Sequence, residues 1–130
     1  MAKTIIIDGN KIHDIPSFYE EINSAFMADE DWKLGPSLDA LNDMLYGGYG
    51  KINGNEQICL VWKNFEKNRI DLGFELTKAY YENKLKSPEV FNTDFIREKL
   101  AELENGSGKT YFEIILEIIS EHPNIELIIQ

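Results

Sequence analysis

The sequence predicts an α/β fold built on a small parallel sheet, and three observations lead there. Three short apolar runs bounded by turn residues, at 4–7, 57–62 and 125–129, read as buried strands. Amphipathic helical stretches separate each run from the next. Strands joined by crossovers of that length pair in parallel through right-handed connections. The 130 residues fit one domain, and a hydrophobic content of 43% is enough for one core.

The elements follow in order. Residues 4–7 are closed by the turn pair Asp8-Gly9. Ser17 is expected to open the first helix, with Glu20 in capping-box position and Phe18, Ile22, Ala25 and Phe26 at helical spacing. Residues 27–31 form a polar, acidic connection. A second helix starts around Pro36-Ser37, buries Leu38, Leu41 and Leu45 with Met44 beside them, and stops at Gly47-Gly48. The four glycines of residues 47–55 predict a mobile loop. The second strand leads into an amphipathic turn around Phe65. Residues 70–85 read as one helix, weakened at its start by Gly73. Residues 94–104 read as another, with Phe95, Leu100 and Leu103 inward and Asn105-Gly106 as its stop. Residues 110–121 give the clearest helix, with a Thr110…Glu113 capping box, a dense apolar face and Pro123 as terminator.

The charge balance narrows the function. Twenty-three acidic residues against thirteen basic ones leave a net charge of -10. Such a surface repels nucleic acid and anionic membranes and speeds encounter with a basic partner. Cys59 is the one cysteine, set in an apolar run, so no internal disulfide forms and a reducing compartment is expected. The start, Met1-Ala2-Lys3 and three isoleucines, is too short for a signal-peptide core, and no apolar stretch reaches membrane-spanning length. A cytoplasmic location is the expectation.

Most chemical motifs fail on spacing. Gly106-Ser107-Gly108-Lys109-Thr110 imitates the end of a phosphate-binding loop, but Leu103 stands where that motif needs its first glycine, and a helix rather than a strand leads in. His13 and His122 lie near element ends without zinc-ligand spacing. No G-x-S-x-G elbow is present. The carboxylates remain. Asp39 and Asp43 stand four apart and share the helix face opposite Leu38, Leu41 and Leu45. Like charges at that spacing oppose helix formation. The helix dipole favours Asp39 in the first turn but gives Asp43 little help. A solvated helix face and a binding site both fit this spacing. Glu113, Glu117 and Glu121 make a second acidic stripe, which reads as a solvent face.

Four segments in one order resemble the barstar family. They are Lys3-Thr4-Ile5-Ile6-Ile7-Asp8-Gly9, then Leu34-Gly35-Pro36-Ser37-Leu38-Asp39-Ala40-Leu41-Asn42-Asp43, then Leu60-Val61-Trp62-Lys63-Asn64-Phe65-Glu66, and a closing Pro123-Asn124-Ile125-Glu126-Leu127-Ile128-Ile129. The resemblance implies a two-layer fold, a three-stranded parallel sheet covered by helices, in a single domain spanning 1–130. It also implies an enlarged helical insertion at about 69–107. By the same resemblance the chain is an inhibitor or immunity protein, not an enzyme, needs no cofactor or metal, and is a monomer when free. Its partner would be a basic ribonuclease of barnase-like or related type. Asp43 falls on the family's central aspartate, with Asp39 one turn earlier and Glu117 on the penultimate element, all imitating RNA phosphates. Leu38, Trp32, Lys33, Asn42, Tyr46 and Gly47 would complete the contact surface. Lys33, Asn42 and Gly48 replace aromatic family residues, while Trp32, Tyr46 and Tyr49 flank those positions. Anchoring aromatics dominate such interfaces, so the expected target differs from barnase.

Two other readings stay open on the residues alone. Asp39 and Asp43 could serve an enzyme as an acid/base pair or as Mg²⁺ ligands. The chain could also be an interaction domain with an inhibitor-like fold and another partner.

Overall fold

The computed structural model describes residues 2–130. Three parallel strands, β1 (Lys3–Asp8), β2 (Ile58–Lys63) and β3 (Ile125–Ile129), form one sheet in the order β1-β2-β3. Between β1 and β2 lie a short 3₁₀ turn (Gly9–Lys11), α1 (Ile15–Phe26) and α2 (Leu38–Leu45). Between β2 and β3 lie α3 (Phe65–Asp71), α4 (Phe74–Lys84), α5 (Thr93–Asn105) and α6 (Tyr111–Ser120). This is the predicted three-stranded parallel sheet covered by helices. All three strands stand where their apolar runs place them, to within a residue at either end.

Strand alternation sends Ile5 and Ile7 of β1, and Ile58, Leu60 and Trp62 of β2, into one core. Phe18, Ile22 and Phe26 of α1, Leu41, Met44 and Leu45 of α2, and Phe112, Ile115 and Ile119 of α6 close over them. Trp62 is the pivot: its ring stacks on Phe18 and meets the edges of Phe65 and Phe112. Its indole N–H donates to Asn68 Oδ1 at 2.7 Å, and the Asn68 amide donates to the Gly9 carbonyl at 3.0 Å. Gly9 accommodates this hub only because it lacks a side chain. A Cβ there would lie 2.2 Å from the Lys63 carbonyl and 2.3 Å from Asn68 Oδ1.

Several helix details differ from expectation, each for a local reason. The N-cap of α1 is Asp14, not Ser17. Asp14 accepts from the Ser17 N–H at 2.9 Å, and Ser17 Oγ accepts from the Asp14 N–H at 3.0 Å. Pro16 sits in the first turn, where its missing N–H costs nothing, so the helix begins before the proline. The single helix expected over 70–85 is two. Gly73 leaves helical geometry and so ends α3, and its carbonyl then accepts from the Thr77 N–H and hydroxyl at the start of α4. In α5 the inward residue is Ile96 rather than Phe95, which is exposed. Ile96, Leu103 and Tyr81 form a small separate cluster that holds α4 against α5. Gly106 ends α5 at φ +87°, as its position predicts, and the Thr110…Glu113 capping box is present.

The glycine-rich loop after α2 is tied down at several points. Lys51 N–H donates to the Phe26 carbonyl at 2.8 Å and Gly50 N–H to the Glu30 carboxylate at 2.9 Å. Ile52 is buried in the core. The loop thereby holds Tyr49 against Trp32, in the connection before α2.

Candidate functional site

The acidic face sits on α2. Ser37 caps the helix by accepting from the Ala40 N–H at 3.1 Å. Leu41, Met44 and Leu45 lock one side into the core, and Leu38 is half-buried. That fixes the rotation of the helix and turns Asp39 and Asp43 outward, both exposed. Among the described residues neither carboxylate has an ion-pair partner. Two unneutralised charges one turn apart therefore face solvent together.

Aromatic side chains frame them. Trp32, 45% exposed, leans on Tyr49 with ring centres 4.8 Å apart. Burial, and then the negative charge of Asp43, raise the Tyr49 hydroxyl above the ordinary tyrosine range. Tyr46, 65% exposed, stands edge-on to His122 at 4.7 Å. Lys33 is exposed in the connection before α2, which Asn23 pins to α1 through both the N–H and the carbonyl of Leu34. Gly47 is buried at φ +87°, and a Cβ there would lie 2.2 Å from the Gly54 carbonyl. It shapes the turn that presents Tyr46.

Asn42 points toward α6 rather than into solvent. Its Oδ1 lies 2.8 Å from His122 Nε2, just past the end of that helix. His122 is only 3% exposed, and spacing arguments miss it because 80 residues separate it from Asn42. Burial holds the His122 imidazole below the usual histidine range, despite Glu121 beside it. Folding therefore excludes a proton that the unfolded chain binds below about pH 6.5. The stability from this group is present in full above that pH and is lost as pH falls beneath it. Denaturant titrations at pH 7.5 and 5.5 should show that loss, and His122→Gln should flatten it. An unchanged slope in the variant would assign the dependence elsewhere.

Glu117 lies apart from this cluster. It is exposed on α6 and pairs with Lys109, and no hydrogen bond or ion pair among the described residues joins it to α2. A shallow cleft of about 400 Å³ opens beside Trp32, lined by Glu20, Met27, Asp31 and Lys33. Among the described residues no group of three or more His, Cys, Asp or Glu side chains is gathered as a metal site. No helix among them is long and apolar enough to cross a membrane.

A family model described as Barstar (barnase inhibitor) matches residues 2–81. The matched span contains β1, α1, α2, β2, α3 and most of α4, and with them Trp32, Asp39, Asp43 and Tyr46. Glu117 and His122 lie beyond it. A search of curated proteins gives no significant match.

Proposed function

The chain belongs to the barstar family, and from that premise we propose that it inhibits a basic ribonuclease by filling the enzyme's active site with carboxylates. The observation that carries this reading is the pair Asp39 and Asp43, exposed, unpaired among the described residues and held in register by a helix whose other side is core. Carboxylates presented this way accept charge-assisted, often bidentate hydrogen bonds from arginine, and a preformed helix loses little freedom on docking. Asp43, in the second turn, takes the enzyme's phosphate subsite. Asp39 takes the neighbouring cation, and Glu117 a peripheral one once Lys109 releases it. Leu38, Trp32, Lys33, Asn42, Tyr46 and Gly47 surround the pair. Trp32, Tyr49 and Tyr46 supply the aromatic surface missing at residues 33, 42 and 48. The target therefore differs from barnase in the surface it offers to aromatic groups. Such an inhibitor acts in a reducing compartment, where Cys59 stays a thiol.

The test is steady-state hydrolysis of a short RNA by small, basic, secreted-type ribonucleases with the chain added. Competitive inhibition is expected, with KM raised and kcat unchanged. The association rate should fall steeply with salt, because opposite potentials steer the encounter, an effect for which barnase and barstar are themselves the standard illustration. Inhibition that substrate cannot relieve, or none by tens of micromolar chain across a ribonuclease panel, would reject the reading.

A further inference from the structure

The cleft beside Trp32 adjoins the segment that leads into α2, and the carboxylate pair on that helix does not use it. Its volume is about 400 Å³, and its walls come from the second half of α1 and from residues 27–33. Three carboxylates line it, Glu20, Glu30 and Asp31, against the single ammonium of Lys33. Glu30 is already engaged by the Gly50 N–H. Glu20 and Asp31 are exposed, and among the described residues neither has an ion-pair partner. Trp32 adds an indole that is 45% exposed, with Tyr49 against part of it. The walls are braced before any ligand arrives. The Asn23 amide donates to the Tyr19 and Leu34 carbonyls and accepts from the Leu34 N–H. The Glu30 N–H donates to the carbonyl of Met27, which is itself buried.

We infer that this cleft receives an arginine side chain of a partner protein. The excess of carboxylates attracts a cation and repels phosphates, which closes the indole wall to a stacking nucleic acid. A compact metal ion needs ligands that converge on one point. Among the described residues no group of three or more His, Cys, Asp or Glu side chains does so. Carboxylates spread around a cleft with an indole wall match a flat, weakly hydrated guanidinium instead. That group stacks on aromatic rings and meets carboxylates along its edge. A lysine ammonium is compact and strongly hydrated, so it gains less from the indole. Lys33 opposes the ligand and limits the strength of the site. The choice of partner rests on the inhibitor reading. Trp32 and Lys33 precede the helix that carries Asp39 and Asp43, so the enzyme that docks on α2 is the protein that reaches the cleft. The arginine comes from the rim of that enzyme, outside the active site that the two aspartates fill.

The probe is N-acetylarginine amide, titrated into the full chain and followed by heteronuclear NMR of the two indole N–H signals. Trp32 is exposed and Trp62 is buried in the core, so the two report separately. The Trp32 signal should shift and saturate with a dissociation constant on the order of 10 mM, as a single side chain offers, while Trp62 stays still. N-acetyllysine amide should bind more weakly. Glu20→Gln combined with Asp31→Asn should weaken arginine binding at least about fivefold, and Lys33→Gln should tighten it. All three positions are exposed, and circular dichroism confirms that each variant is folded. Against the inhibited ribonuclease the same double variant should lose about tenfold in affinity. A Trp32 signal that ignores arginine, or follows lysine or sodium chloride equally, would overturn the site. Inhibition undiminished in the double variant would overturn the ribonuclease as its partner. A chain that inhibits no ribonuclease yet keeps the arginine response would reject the inhibitor reading and leave the arginine site standing.

Discussion

Asp43→Ala should weaken binding of the target ribonuclease by about 2–5 kcal/mol while leaving the chain folded. That scale comes from truncating one partner of a buried charge pair, measured in the barnase–barstar complex itself among others, rather than from this geometry. The structure supplies the separation of the two effects. In the free chain Asp43 is exposed and has no ion-pair partner among the described residues, so its removal breaks no internal ion pair. It also relieves repulsion from Asp39 one turn away, worth a few tenths of a kcal/mol. The midpoint of thermal unfolding should hold or rise slightly as affinity collapses. Asp39→Ala should cost less, and Glu117→Ala less again, because Lys109 already neutralises that carboxylate. Isothermal titration against the inhibited enzyme ranks the three. Equal losses would dissolve the assigned centre, and near-wild-type inhibition by a folded Asp43→Ala chain would remove it.

Asn68→Leu should cost about 1–3 kcal/mol of stability, the cost of one buried polar group left unpaired. The leucine would leave the Trp62 indole N–H without its acceptor, while the Gly9 carbonyl keeps the Ile12 N–H as a donor. The Ile12 carbonyl, which Asn68 also reaches, keeps a second donor in Lys67. A loss of that size is a large part of the roughly 5–15 kcal/mol that holds a typical domain together. Urea unfolding monitored by Trp62 fluorescence would measure it. A variant within about 0.5 kcal/mol of wild type would mean that Trp62 finds another acceptor.

How much of the fold and the site is legible in the sequence depends on the range of the interaction. Strands are legible because a buried parallel strand writes itself as an uninterrupted apolar run, and the residues at 125–129 do so without error. Helix ends are harder where two caps compete. Asp14 and Ser17 are both good caps, and only the tolerance of the first turn for Pro16 decides between them. Phe95 and Ile96 are adjacent apolar residues, and α5 has to dock on α4 before one of them can be inside. The outward pair Asp39 and Asp43 is visible in its four-residue spacing, although spacing does not separate a site from a solvated face. The long-range contacts that hold its surroundings in place are invisible. Tyr49 reaches Trp32 across a folded loop, and His122 meets Asn42 from the far end of the chain, so no local pattern joins them.

The bond between Asn42 and His122 also bears on the time at which the protein becomes itself. A ribosome delivers about 5–20 residues per second, so α2 leaves the exit tunnel several seconds before residue 122 is made. The central strand waits as well, because Ile58 pairs with Lys3 behind it and with Ile125 ahead of it. Through that interval the acidic segment is a nascent peptide whose rotation nothing has yet fixed. Its two carboxylates acquire a set direction only once His122 and β3 have emerged in turn and packed against what came before.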